Sequence, residues 1–429
     1  MKKKIFYATI SLILLSTIAK ILSFIVRIYL ARTLSLEAMN LYSLAMPTLV
    51  FLIALAQMGI PTALSKVIAQ SVNPLNGILS SFILSLINNL ILITLFLIMI
   101  PFLSTHLFKD IQISSILKSM VFMIPMVTLS GLCKAILQGK QHHAIACASQ
   151  IFEEAFRLIF LIIGFSLFLK DARSLATTAM FSVFVGECGS TLFMLAFLFI
   201  KKHPLKRRQH DLKKEHFLEI LSLSVPMTSA RLIGSLTYFL EPIIFLAFAD
   251  PVLLKNAYGI FNGYVLPLLT MPSFISVTLA SALLPTFVYE KKHNHLEKAK
   301  KIFYMMSLIC LLISLTCALT TYFFPSEILQ LFYKTKEGSA FLKNSSLPFI
   351  FYSLQPVLSS ILHALDQSKK ALIDTLLGCL LRLAILALLT PLLQENALIL
   401  AIVASMLTTT FLHALRVCWS LNKLSLTSK

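Results

Sequence analysis

Apolar runs of about twenty residues or more recur from one end of this 429-residue chain to the other, and about twenty such residues make a helix that crosses a bilayer. With 58% hydrophobic and only 13% charged residues, the chain lies far from the roughly one-quarter charged of a soluble domain. Twelve spans are read near 7–33, 41–65, 77–104, 114–137, 144–169, 175–200, 217–248, 257–289, 302–325, 341–365, 371–393 and 396–419. No large soluble domain fits between them. The expected fold is an all-α polytopic membrane protein. The opening Met-Lys-Lys-Lys resembles a secretion signal, but the apolar run after it is too long and lacks a clear small-x-small cleavage site, so it reads as a retained first helix.

The formal charge of +19 would suggest nucleic acid in a soluble protein. Here the lysines and arginines sort by side. The N-terminal face of the spans carries more than twice as many as the other face, the bias that marks cytoplasmic loops. Both termini are therefore expected in the cytoplasm of a multi-pass plasma-membrane protein, with no nucleic-acid partner. The most basic stretch, 201–216, reads as a linker resting on anionic lipid. Seven cysteines form no CxxC pair and no metal-ligand spacing, and they read as small hydrophobes in apolar segments.

The basic loop also divides the chain into a six-helix lobe, 1–200, a linker, 201–216, and a second six-helix lobe, 217–429. The halves echo each other. Ala19-Lys20 returns as Ala230-Arg231, Gly59-Ile60-Pro61-Thr62 as Leu283-Leu284-Pro285-Thr286, Pro125 as Pro348, and Arg157-Leu158 as Arg382-Leu383, with offsets drifting from 211 to 225 residues. A parallel repeat of this kind predicts two lobes around a central cavity.

The first span carries Ser16, Lys20, Ser23 and Arg27 at i, i+4, i+7 and i+11, on one helical face. Charge near a bilayer centre costs a few kcal/mol on insertion scales, so this face should meet water rather than lipid. Span seven repeats the path with Ser224, Thr228, Arg231, Ser235 and Tyr238. Lys20, Arg27 and Arg231 then either cradle a phosphate or pyrophosphate, with Ser23 and Tyr238 beside them, or form interhelical salt bridges with Glu241 or Glu154. Arg32 reads as a snorkelling anchor.

In span five, Glu153 and Arg157 stand at i, i+4 and are expected to pair locally, leaving Glu154 without a local partner. An unpaired carboxylate in a membrane takes up a proton or binds a cation, so Glu154, Glu241 and Asp374 are coupling-ion candidates. Pro61 and Pro285 are expected to break their helices and act as hinges, with Pro47, Pro267 and Pro272 in the same spans. Asn88, Asn89, Asn262 and Tyr264 either hydrogen-bond cargo or join helices. No phosphate-cradling Gly-rich loop, zinc motif or nucleophile elbow is found, so neither enzyme, metal site nor organic cofactor is expected. Energy would come from a coupling cation (Na⁺ or H⁺), the membrane potential or consumption of cargo.

Four runs carry a family resemblance. Lys20-Ile-Leu-Ser-Phe-Ile-Val-Arg27-Ile-Tyr-Leu-Ala-Arg32, Leu41-Tyr42-Ser-Leu-Ala-Met-Pro47 with Gly59-Ile-Pro61-Thr-Ala-Leu-Ser65-Lys66, and Leu236-Thr-Tyr238-Phe-Leu-Glu241-Pro242-Ile resemble the polysaccharide-type flippases, in the stage V sporulation protein B and MurJ-like branch. That group is related more distantly to multidrug and toxin extrusion (MATE) exporters. The resemblance implies a two-lobed helical flippase that moves an undecaprenyl-pyrophosphate-linked saccharide, lipid II-like or a polysaccharide precursor, from inner to outer leaflet by alternating access. It implies cavity-lining roles for Arg27 and Arg231, with Lys20 beside them, and a place at the cytoplasmic mouth for Lys66. Members usually have fourteen spans where twelve are read here. Membrane lipids and a cell-wall polymerase are the expected partners. The rival reading is a MATE-like ion-coupled exporter of small organic cations, which calls for an acidic, aromatic cavity.

Overall fold

The structure is a computed structural model and describes residues 2–70, 74–167, 171–200, 214–248, 251–293 and 295–427. Residues 201–213 of the basic linker lie outside the described residues, and 214–216 already belong to a helix. Among the described residues there are helices and no strand, as the uninterrupted apolar runs require: in lipid, backbone groups must be satisfied within the segment. Two compact units divide at Ile243/Ile244.

The first unit holds α1 (Lys2–Thr33), α2 (Leu36–Gln57), α3 (Ile60–Gln70), α4 (Leu75–Phe102), α5 (Ile113–Met120), α6 (Met123–Gly139), α7 (His143–Leu167), α8 (Ala172–Ile200) and most of α9 (Lys214–Ala247). Ser35 caps α2 by accepting from the Ala38 N–H, with Glu37 in the first turn, an arrangement that favours the positive end of the helix. α1 packs along α7, and α7 along α8. Gly186 and Gly189 make the second seam close: a Cβ at Gly186 would stand 2.8 Å from the Glu153 carbonyl oxygen.

The second unit begins with the end of α9 and contains α10 (Pro251–Ile260), α11 (Leu266–Thr270), α12 (Ser273–Lys292), α13 (Leu296–Phe323), α14 (Pro325–Tyr333), α15 (Ser339–Ser346), α16 (Gln355–Ala364), α17 (Ser368–Leu393) and α18 (Asn396–Thr427). Its core gathers Leu283, Phe287, Phe303, Val357, Ile361 and Val417 from α12, α13, α16 and α18.

Among the described residues, eight helical segments are long and apolar enough to cross a membrane, or ten if each of two bent pairs is one span. α7 and α9, with 25 and 34 residues, are also long enough, and α7 carries Glu153, Glu154 and Arg157. The set is consistent with the twelve spans read from sequence.

Two of the proline expectations change. In the first unit the span 36–70 is interrupted at Met58 and Gly59, both with positive φ, and Pro61 falls in the first turn of α3, where its missing N–H costs nothing. In the second unit α12 runs helical through position 285. The bend of 50° falls at Met271–Pro272 instead, so Pro285 does not break its helix. A proline inside a helix removes one hydrogen bond, and the helix can continue past it. At Met271–Pro272 the backbone stays right-handed, and the α-helical ladder gives way to i, i+3 bonds from Met271, Phe274 and Ile275.

The interruption at Gly59 lets α9 approach closely. The Phe51 and Phe239 rings stack at 5.1 Å, Gln57 meets Arg231, and Asn76 Nδ2 reaches His216 Nε2 at 3.4 Å, so α9 runs antiparallel along α2 and α3. Ile220 joins the core of Ile60, Leu64 and Leu132. These contacts place the unit boundary inside α9 rather than in the basic loop.

A Cβ at Gly59 would meet Thr228 Oγ1 at 2.5 Å and the Ser224 carbonyl at 2.8 Å, on a backbone with φ of +64°. Left-handed backbone alone costs a non-glycine residue roughly 1–2 kcal/mol. Gly59→Ala is therefore expected to lower the thermal midpoint of the detergent-solubilised protein. Adding Thr228→Ala should restore only part of the loss, because the Ser224 carbonyl stays in place.

Candidate functional site

α1 presents three distinct faces. Leu14, Ile18, Ile21 and Ile25 are exposed and apolar, Ala19, Val26 and Leu30 are buried, and Ser16, Lys20, Ser23 and Arg27 form the polar stripe. At 3.6 residues per turn, the polar stripe lies about 160° from the exposed apolar stripe. The buried residues fall between them, nearer the polar side. Lys20 is exposed, and Ser23 and Arg27 are half-buried. The exposed leucine and isoleucines suit lipid. The stripe on the opposite face, with an exposed lysine at its middle, suits water.

On α9 the second stripe divides in two. Ser224, Thr228 and Ser235 are buried, and their hydroxyls donate to carbonyls one turn back in their own helix, at 3.2, 2.6 and 3.1 Å. The packing of Gly59 over Ser224 and Thr228 closes that part of the face. Arg231 is exposed and donates from Nη1 to Gln57 Oε1 at 2.6 Å. Gln57 in turn donates from Nε2 to the Val127 carbonyl on α6 at 3.3 Å. The glutamine thus fixes one arm of the guanidinium, whose fork has five N–H donors. Tyr238, two turns on, is half-buried. Lys20, Ser23 and Arg27 share one face of α1, whereas Arg231 is drawn to the end of α2.

A second set of ionisable groups, half-buried except for Glu187, gathers between α2, α6, α7 and α8. Lys134 Nζ stands 3.8 Å from Glu153 Oε2, and Arg157 Nη1 stands 3.9 Å from Glu154 Oε2. The expectation of a Glu153–Arg157 pair is corrected: Glu153 turns to α6, and Arg157 faces Glu154 one turn back at i, i+3. Arg157 also donates from Nε to Ser182 Oγ at 3.2 Å and from Nη2 to the Tyr42 hydroxyl at 3.0 Å. Glu154 therefore has a cation beside it, contrary to the reading of a partnerless carboxylate. Glu187, which sequence reasoning misses, is buried and accepts from Ser130. Three carboxylates stand here against two cations.

Asn88 donates from Nδ2 to the Leu55 and Ala56 carbonyls at 3.0 and 3.1 Å, and Thr128 Oγ1 lies 3.1 Å from Asn89 Oδ1. Leu55 and Ala56 close α2, where the interruption at Met58–Gly59 leaves carbonyls without helical partners. These asparagines therefore join helices. Asn262 donates to the Tyr258 carbonyl at 3.2 Å within a π-helical turn, Phe261–Val265.

In the second unit Asp374 is fully buried and is gripped by Arg416, whose Nε lies 2.7 Å from both carboxylate oxygens. His413 Nε2 stands 4.0 Å from Asp374 Oδ2 and 3.3 Å from the Ala371 carbonyl. Asp374 thus has a tight cationic partner, which corrects its reading as an unpaired carboxylate. Gly378 brings α17 and α18 together over Ser405 and Thr409. Glu241 is fully buried on α9. An apolar cavity of about 550 Å³ lies against Phe351, Leu354, Leu407 and Phe411, and among the described residues no ionisable side chain lines it, so it does not suit a charged head group. Among the described residues no three His, Cys, Asp or Glu converge on a metal position.

The family of polysaccharide biosynthesis proteins matches residues 6–291. The chain belongs to the polysaccharide biosynthesis protein family. The MatE family also matches residues 262–388. The chain is 28% identical to stage V sporulation protein B of Bacillus subtilis (strain 168), over 96% of this chain and 83% of that protein. It is 23% identical to the lipid II flippase MurJ of the same organism, over 81% and 70% of the two chains. Its fold matches the inward-facing conformation of a multidrug-resistance MATE-family transporter of the MOP superfamily, with a TM-score of 0.78 at 16% identity, covering 97% and 96% of the two chains. This polysaccharide biosynthesis family member is accordingly a multi-pass membrane protein with a MATE-like helical fold.

Within that fold the ionisable groups of this family member fall into two classes. Glu153, Glu154 and Arg157, half-buried, and Asp374, fully buried, stand beside opposite charges, while Lys20 and Arg231 are exposed. Breaking a buried pair by removing one partner typically costs about 3–5 kcal/mol, while replacing both partners with apolar groups can be neutral. Arg416→Leu is therefore expected to lower the thermal midpoint markedly. The double variant Asp374→Leu/Arg416→Leu should recover most of it, measured as a double-mutant cycle in detergent.

Proposed function

We propose that this transporter is a flippase that carries an undecaprenyl-pyrophosphate-linked saccharide from the inner to the outer leaflet of the plasma membrane. The observation that carries the reading is the charge of the accessible polar face. Lys20 and Arg27 lie on the face of α1 opposite its exposed apolar stripe, and Arg231 is exposed with one arm held by Gln57. Positive groups kept from lipid and open to water attract an anionic head, and a guanidinium binds pyrophosphate oxygens with a planar fork. The cargo's lipid tail can stay in the bilayer, so the protein must shield only the polar head while alternating access exposes it to one side and then the other. Export of organic cations, the rival, calls for accessible carboxylates, whereas Glu153 and Glu154 on α7 stand beside Lys134 and Arg157, and Asp374 is locked to Arg416.

The positive-inside distribution of lysine and arginine supports cytoplasmic termini. For coupling, the surplus carboxylate in the set of Glu153, Glu154 and Glu187 against Lys134 and Arg157 is the place where a cation would act. A proton needs one carboxyl, whereas a metal ion needs several converging oxygens. Glu187, buried beside Ser130, is the carboxyl proposed to take up the proton.

Two outcomes are expected. Expression of the chain should rescue a strain depleted of its lipid II flippase. Each hydrogen bond to a charged group is worth about 1.5–3 kcal/mol, so Arg27→Ala and Arg231→Ala should each lose about tenfold or more of transport at normal membrane levels. Full rescue by both variants would end the assignment of these residues to cargo. Second, Glu187→Gln should weaken the dependence of transport on a proton gradient while leaving cargo binding in place, as measured by binding of a fluorescent undecaprenyl-pyrophosphate analogue.

A further inference from the structure

At one end of the second unit, the close of α12, the turn between α16 and α17 and the last turns of α18 meet around a cavity of about 360 Å³. Lys291, Lys370 and Lys423 line it together with Trp419, Gln367 and Ser420, and among the described residues no carboxylate lines it. The carboxylate next to Lys291 in the chain, Glu290, is engaged by His295 at 3.1 Å. The ammonium groups of Lys370 and Lys423 both lie over the Trp419 ring, 5.3 and 5.5 Å from its centroid. Cation–π contact holds each lysine on the indole, but two like charges at one ring repel each other, and an anion beside them offsets that repulsion.

Two further features indicate which anion. The cavity lies where α17 begins and α18 nears its end, the depth at which tryptophan favours the membrane–water interface. Gln367 donates from Nε2 to Ser420 Oγ at 2.7 Å, and its buried Oε1 meets no hydrogen-bond donor among the described residues. A ligand for this place therefore carries negative charge for the lysines and a hydroxyl donor for the glutamine. We propose that the pocket binds the phosphoglycerol head group of an anionic membrane phospholipid, with the phosphate on Lys291, Lys370 and Lys423 and a glycerol hydroxyl donating to Gln367. Choline and ethanolamine heads bring an ammonium of their own, which three lysines repel. Basic pockets among membrane helices are suited to anionic lipid heads in this way. The site is built from the helices of the second unit alone and does not depend on the identity of the transported cargo.

Trp419 is the one tryptophan in the chain, so its fluorescence reports this pocket without labelling. The experiment reconstitutes the full chain in phosphatidylcholine vesicles and compares quenching by brominated phosphatidylglycerol with quenching by brominated phosphatidylcholine at equal mole fraction. A preference of at least about fivefold for phosphatidylglycerol is expected, the worth of one lysine at an anionic surface. Lys370→Gln/Lys423→Gln should bring the ratio to near one, and Lys370→Arg/Lys423→Arg should keep it. Equal quenching in the unmodified protein, or an unchanged preference in the glutamine variant, would overturn the proposal. Loss of the preference on adding undecaprenyl phosphate at the same mole fraction would reassign the pocket to cargo, and loss with millimolar inorganic phosphate would make it a bare anion site. Either result also overturns the proposal, and persistence of the preference in both supports it.

Discussion

An ionisable side chain in hydrocarbon must find a partner or water, and the cost of failing to do so orders this molecule. The chain meets the requirement in two ways. Some opposite charges are brought together, Lys134 with Glu153 and Arg416 with Asp374 between packed helices and Arg157 with Glu154 along α7. Where they are not, the charge is turned to the face opposite lipid, as with Lys20 on α1. The first arrangement stabilises and locates helices. The second leaves charge available to a ligand.

Glycine makes the packed arrangement possible. Gly186 brings α7 against α8 beside Glu153, and Gly378 brings α17 against α18 beside the Asp374–Arg416 pair. Gly59 has a further role, because its positive φ interrupts the span and brings the end of α2 onto α9. The interruption frees carbonyls that Asn88 satisfies, and it places Gln57 where it can hold Arg231. The exposed cation of α9 is thus positioned by a break in a neighbouring helix.

The spans and the polar stripes were legible in the sequence because both follow from local periodicity. Twenty apolar residues mark a crossing, and positions 16, 20, 23 and 27 share a face whatever surrounds them. Charge pairing was much less legible. Glu153 and Arg157 have the spacing of a local pair, yet each binds elsewhere, because Lys134 and Tyr42 arrive from other helices. Asp374 finds its partner 42 residues away on α18, and nothing at that spacing marks Arg416 in the sequence. Proline was also an incomplete guide. Pro61 and Pro285 match in the repeat, but the bend in the second unit falls at Met271–Pro272, where the ladder tightens to i, i+3 bonds, while α12 continues past Pro285. The boundary between the compact units was hidden for a related reason: α9 is one continuous helix by pattern, and only its contacts with α2 and α3 assign residues up to 243 to the first unit.

The account rests on the claim that the polar face of α1 meets water while the face opposite meets lipid. Cysteine scanning of α1 tests it directly, in a background where the seven native cysteines are replaced, using a membrane-impermeant thiol reagent on reconstituted protein. Cysteines at 20, 23 and 27 should react, and cysteines at 18, 21 and 25 should not. Equal labelling of the two stripes, or labelling confined to 18, 21 and 25, would contradict a water-facing cationic stripe.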